Sequence, residues 1–203
     1  MAGKYTTIPL SRLIAFSDGV IAIIITLMIL SIKVPAIENT NSSVIVWHKL
    51  SWMLEPIASY LLSFVTIGVL WVNHHQFFEQ LKHSDRGLLW LNLLFLFCMS
   101  LVPIPTELLG QNFLRPEIIA FYGLMMFTCL FSFLIMRLHV QKVNLFIENL
   151  SPGLIKLTRR KLQWGTALYF ASVFTAFLSV YISIAIFVIV AILYFLPTNI
   201  EVR

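Results

Sequence analysis

The feature that most constrains this chain is a succession of apolar runs, each about as long as a helix that crosses a bilayer. A hydrocarbon core ~30 Å thick needs about 20 apolar residues of helix. Such runs occupy residues 10–33, 51–72, 88–109 and 117–136, and a longer one extends from Leu162 to Leu196. As one helix, the 35 residues of that last run would extend ~50 Å at 1.5 Å per residue, too long for the core even when tilted. Two helices are therefore expected, with a turn near Ser179 to Ser183 although no Gly or Pro marks it. The fifth helix has room to begin earlier, within the basic segment around Arg159. The fold class that follows is all-α, a polytopic membrane protein with six transmembrane helices.

Composition narrows the reading further. With 59% hydrophobic and 11% charged residues among 203, no length remains for a separate soluble domain, so residues 1–203 are expected to form a single transmembrane unit. An excess of 14 Lys and Arg over 9 Asp and Glu would suggest nucleic acid in a soluble protein; here it records insertion topology, and nothing else points to nucleic acid. Cys98 and Cys129 sit inside apolar runs, where cysteine is a small buried hydrophobe. Lys4 and Arg12 precede the first run as in a signal peptide, but the length of that run and its Asp18 mark it as a retained span.

Six spans put both termini on one side. On that side lie Lys4, Arg12, Lys82, Arg86, Arg137, Lys142, Lys156, Arg159, Arg160, Lys161 and Arg203, against only Lys33, Lys49 and Arg115 on the other. The positive-inside rule then assigns both termini to the cytoplasm. Trp47, Trp52, Trp71, Trp90 and Trp164 all fall near span ends, as interfacial aromatics do. Residues 137–161 read as a long cytoplasmic surface segment with a Pro152-Gly153 break, and a basic cluster of this kind can also bind anionic lipid. No internal repeat is evident, so a pore on a symmetry axis would need several copies of the chain.

Charged groups in a spanning helix need partners, because each costs about 2.5–3.5 kcal/mol at the bilayer centre on insertion scales. Asp18 stands about one and a half turns inside Arg12, and the second span ends in WVNHHQ, which brings Trp71, Asn73, His74 and His75 to the same level, with Asn92 from the third span. An aspartate facing histidine, asparagine and an indole N–H would pin the first helix to the second. Proton sensing by Asp18 and His74 is the alternative use of the same groups. His48, His75, His83 and His139 lie near or beyond span ends and read as solvent-facing.

An enzyme is not expected. Adjacent His74 and His75 point about 100° apart on a helix and cannot readily share a metal, and neither a nucleophile–base pair nor a set of three ligands is assembled. On the first helix, Ile23, Thr26, Leu27 and Leu30 share one face, while Asp18, Ala22, Ile25 and Ile29 share another. Either face could pack on neighbouring helices, and periodicity alone does not select one to line a pore.

Arg12, then Phe16-Ser17-Asp18-Gly19 followed by AIIITLMIL, resembles the first-helix motif of the lysosomal transmembrane protein 175 potassium-channel family and its prokaryotic relatives. Trp71-x-Asn73-His74, and Asn92 leading to Pro103-x-Pro105-Thr106, continue the resemblance; the later helices match in hydropathy only. The resemblance implies a six-helix unit that forms a homotetramer in the prokaryotic plasma membrane, its first helices surrounding a central pore. It implies a constriction at Ile23, a hydroxyl ring from Thr26, and further lining by Leu27 and Leu30. It also groups Arg12, Phe16, Ser17 and Asp18 with Trp71, Asn73 and His74 in a polar network behind the pore. No TVGYG string occurs, the nearest fragment being Phe121-Tyr122-Gly123 inside a span. The expected function is a potassium-favouring cation channel with membrane lipids and its own copies as partners, potassium as permeant ion and no cofactor. A proton-coupled secondary transporter and a non-conducting scaffold are the competing classes.

Overall fold

The computed structural model describes residues 9–34 and 43–195. Two cations of the topology count, Lys4 and Arg203, lie outside the described residues. Eight α-helices are described: α1 (Leu10–Leu27, continued by a 3-10 turn Met28–Ser31), α2 (Ser43–Ser51), α3 (Leu54–Glu79), α4 (Arg86–Ser100), α5 (Pro103–Gln111), α6 (Pro116–Val143), α7 (Pro152–Leu178) and α8 (Val180–Phe195). Counting α1 with its turn, α2 with α3 and α4 with α5, these make six helical segments of a polytopic all-α membrane fold. Four of them are long and apolar enough to cross a membrane by length and composition; α8 is apolar but shorter, and α7 carries polar and basic residues in its first half.

The structure revises three boundaries. The second span continues to Glu79, so WVNHHQ sits inside α3 rather than ending it. The third run bends where Pro103 and Pro105 withhold their N–H groups. The carbonyls of Met99 and Leu101, which those prolines would have served, accept instead from Val102 and Ile104 at 3.1 Å each, a tighter i to i−3 pattern. The segment 137–161, expected to be a long surface loop, is mostly helix: α6 runs to Val143 and α7 starts at Pro152. Asn144 ends α6 in the left-handed region (φ 60°), a conformation that asparagine adopts more readily than most residues. The short connector after it is fastened to the α3–α4 turn by Lys82 N–H to Leu145 C=O and Ile147 N–H to Gln80 C=O, both 3.0 Å.

The division of the last run agrees with the sequence expectation. Ser179 is extended (φ −160°, ψ 121°) between α7 and α8. The chain turns there without Gly or Pro because side chains supply the missing partners: Ser183 Oγ donates to Ser172 C=O at 2.8 Å and sits 2.8 Å from Thr175 Oγ1.

The long helix α6 is the centre of the bundle, packed by α4, α5, α7 and α8 and buried on several faces. Small residues allow close approach. A methyl group added at Gly123 would stand 2.4 Å from Ser172 Oγ, and one at Gly165 would stand 2.5 Å from the Tyr194 hydroxyl. By contrast, α1 lies at the edge and packs on α3 and α4 through Leu13, Ser17, Ile21, Ile24 and Met28. Its other face is left uncovered by the described residues.

Candidate functional site

The inner face of α1 is tied down by two separate polar links. In the first, His74 Nε2 lies 2.8 Å from Asn92 Oδ1, Asn92 Nδ2 donates to Ser17 Oγ at 2.9 Å, and Ser17 Oγ donates to the Leu13 carbonyl at 2.9 Å. Because the Asn92 amide nitrogen is spent on Ser17, its oxygen must accept, which assigns the proton to His74 Nε2. Each of the three side chains therefore donates one hydrogen bond along this relay. The three side chains are at most 1% exposed and come from α1, α3 and α4. The His74 ring is held in turn by Phe95, stacked at 5.2 Å and 10°, and by Phe78 at 4.5 Å. Buried polar groups that are completely satisfied fix a helix in rotation and register.

The second link is more exposed. Trp71 Nε1 donates to Asp18 Oδ1 at 2.8 Å, and His75 Nδ1 lies 4.0 Å from Asp18 Oδ2 while its Nε2 lies 3.5 Å from Glu79. The expected network is thus corrected in several places. Asp18 is bound by the indole rather than by His74. His75, expected to face solvent, joins the Asp18 group. Asn73 Nδ2 donates to Val69 C=O and reaches Tyr194 C=O at 3.4 Å, on the far side of α3. Arg12 and Phe16 are exposed and form no ion pair or hydrogen bond of their side chains with a described residue. The spacing of His75, four residues after Trp71 and four before Glu79, was the available sign that one helix face carries all three.

The outer face of α1 is a stripe that none of the described residues covers. Ile23 is 57% exposed, Leu27 53% and Leu30 75%, with Thr26, Ala22, Gly19 and Ala15 also open along the same side. Thr26 Oγ1 donates back to the helix, 2.9 Å from Ala22 C=O and 3.1 Å from Ile23 C=O. Its proton is occupied, so the oxygen turns lone pairs outward. Two chemistries on one helix are therefore separated by rotation: hydrogen-bonded polar groups toward α3 and α4, and bulky apolar groups with one hydroxyl toward the outside.

Two other motifs serve packing. Tyr122 of the Phe121-Tyr122-Gly123 fragment is buried in the unbroken helix α6, its hydroxyl 3.0 Å from Ser63 Oγ, which lies 2.8 Å from Thr106 Oγ1. That triad joins α3, α5 and α6 and uses Thr106 of the Pro-x-Pro-Thr motif. Among the described residues no group of three or more His, Cys, Asp or Glu is arranged to hold a metal ion.

Residues 12–103, which take in nearly all of α1 with its polar links and end at the first proline of the Pro-x-Pro bend, match the family model described as the endosomal/lysosomal potassium channel TMEM175. A protein named a potassium channel from Streptomyces collinus is 36% identical over 189 residues, covering 90% of each chain. One of the same description from a Chryseobacterium species is 34% identical over 188 residues, covering 92% of each. Among solved structures, a homologue from Chamaesiphon minutus of the lysosomal potassium-selective channel TMEM175 superposes with a TM-score of 0.76 at 28% identity, over 94% of this chain and 98% of that one. With this similarity running through nearly the whole length, and not only through the first-helix motif, the chain belongs to the TMEM175 family.

Proposed function

We propose that the chain is a potassium-favouring cation channel in which four copies place α1 around a central axis, Ile23 forming the narrowest ring. The observation that carries the reading is the uncovered stripe on a helix whose opposite face is rigidly hydrogen-bonded. A lipid-facing helix needs no such anchoring, whereas a helix that sets the width of a pore must be held in rotation. Rings of isoleucine and leucine gate by dewetting, because an ion loses hydration there without replacement ligands. Thr26, one turn outward, offers acceptor lone pairs suited to a cation. Selection without a carbonyl filter of the TVGYG kind should be modest.

The relatives named potassium channels support the choice of ion, and the excess of basic residues on one side supports a plasma-membrane protein with both termini in the cytoplasm. Potassium is the permeant ion in this reading, membrane lipids and further copies of the chain are its partners, and it involves neither cofactor nor catalysis. Purified protein reconstituted into liposomes should carry potassium down its gradient, and Ile23→Ala or Ile23→Asn should raise leak or weaken potassium preference. Unchanged flux and ion preference in both variants would remove Ile23 from the constriction; saturation of flux with a turnover-like limit would point to a carrier instead.

A further inference from the structure

Arg137, assigned to a surface segment by its sequence context, is buried in α6 with 5% of its surface accessible. The planar guanidinium lies between aromatic rings, Cζ 5.3 Å from the centre of Phe77 and 5.7 Å from that of Phe146. Nη2 donates to Thr158 Oγ1, whose own proton goes to Leu154 C=O, and Nε is buried without a partner. No described carboxylate pairs with it. A guanidinium withdrawn from water in this way needs a compensating negative charge, and aromatic faces and one hydroxyl supply only part of it.

The same side chain lines a crevice between α3, α6, α7 and the end of α8. Its polar walls are Asn73, Gln76 and Gln80 along one face of α3, and Thr158 and Lys161 on α7. The Lys161 ammonium stands 5.4 Å from the ring centre of Tyr194 at the mouth. About 30 Å³ is free, enough for the leading oxygens of a small anion and far too little for an acyl chain. Among the described residues, every charged group on the wall is a cation. Gln80 Oε1 is buried with no partner, and a flip of that amide would turn its two N–H donors inward at no steric cost. The crevice also lies on the side of the bundle where the basic residues gather.

We propose that this crevice binds a phosphate-type oxyanion, either the headgroup of an anionic lipid or free phosphate, with Arg137 as the central ligand. Bidentate guanidinium–phosphate contact is the geometry for which arginine is suited, and bound oxyanion would lock α3, α6 and α7 together at this end.

The test is thermal unfolding of the purified full chain in neutral detergent with phosphatidylcholine, titrated with inorganic phosphate and, separately, with phosphatidylglycerol at constant ionic strength. The wild type should gain a saturable Tm rise of at least about 2 °C from one or both probes. A response to phosphate identifies a free-anion site, and a response to phosphatidylglycerol alone identifies a headgroup site. Arg137→Gln should abolish the response. Should that variant not fold, Gln80→Glu keeps the arginine and supplies a carboxylate in cis; it should be at least as stable as the wild type and blind to both probes. No response from the wild type, or an equal response in Gln80→Glu, overturns the proposal.

Discussion

Replacing Asn92 by leucine, similar in volume and apolar, isolates what the buried relay contributes. Ser17 keeps the bond its hydroxyl donates to Leu13 C=O at 2.9 Å and loses only an incoming donor. His74 loses the acceptor at 2.8 Å for its Nε2–H while the ring stays enclosed by Phe78 and Phe95. An orphaned buried donor costs about 1–3 kcal/mol, and polar pairs between helices in membranes fall at the lower end of that range. At roughly 2–4 °C per kcal/mol for a chain of this size, Asn92→Leu should lower Tm by several degrees in detergent. His74→Phe in the same background should recover part of the loss, because it removes the orphan and leaves an aromatic ring in the same aromatic cage. A Tm within about 1 °C of wild type, or strictly additive effects in the double variant, would refute the claim that this relay holds α1.

Gly110→Ala should destabilise by about 1–3 kcal/mol, since its methyl group would stand 2.8 Å from the Pro56 backbone Cα. Gly68→Ala has nothing within 4 Å of the added carbon and should be neutral or stabilising in the same melt. If four copies assemble as proposed, Trp71→Phe, which removes the bond to Asp18 Oδ1, should reduce the fraction of that assembly seen by light scattering, with less effect on protomer Tm than Asn92→Leu because Asp18 is partly exposed. Partial burial raises the Asp85 carboxyl, but the Leu88 N–H at 2.7 Å and His139 at 2.9 Å outweigh it and hold the pKa below the ordinary aspartate value. A depressed carboxylate adds stability above its unfolded pKa and loses it as pH falls through the lower folded value. Asp85→Asn should therefore flatten the acid limb of a Tm-versus-pH curve, and an unchanged limb would dissociate that pair from acid stability.

The spacing of Ser17, Asp18, Ile23 and Leu27 already separated the polar groups of the first helix from the Ile23 stripe, although periodicity did not say which face would be packed. What spacing did not convey was which partner each polar group would meet. Asp18 and His74 occupy the same level, yet His74 points into the core toward α4 while Trp71 and His75, about a turn apart on α3, reach Asp18. Two residues adjacent in sequence on α3 face directions about 100° apart, so level alone does not decide contact. Arg137 was misread for a related reason. A basic residue near a span end is ordinarily solvated, and only the return of the connector, with Phe146 against Phe77, encloses it.

The sequence by itself determined the class of molecule: apolar runs of bilayer length compel helices, because lipid offers the backbone no other partner. It also required a break in the last run, expected near Ser179 to Ser183, since no single helix of 35 residues suits a core of that thickness. Only the tertiary structure decided which polar groups pair, that the prolines bend the third segment by handing its carbonyls to neighbouring N–H groups, and that a face of α1 stays uncovered. Those outcomes depend on the rotation of each helix about its own axis. On helices apolar nearly all round, no periodicity specifies that rotation, and the choice falls to a few hydrogen bonds and close contacts between residues distant in the chain.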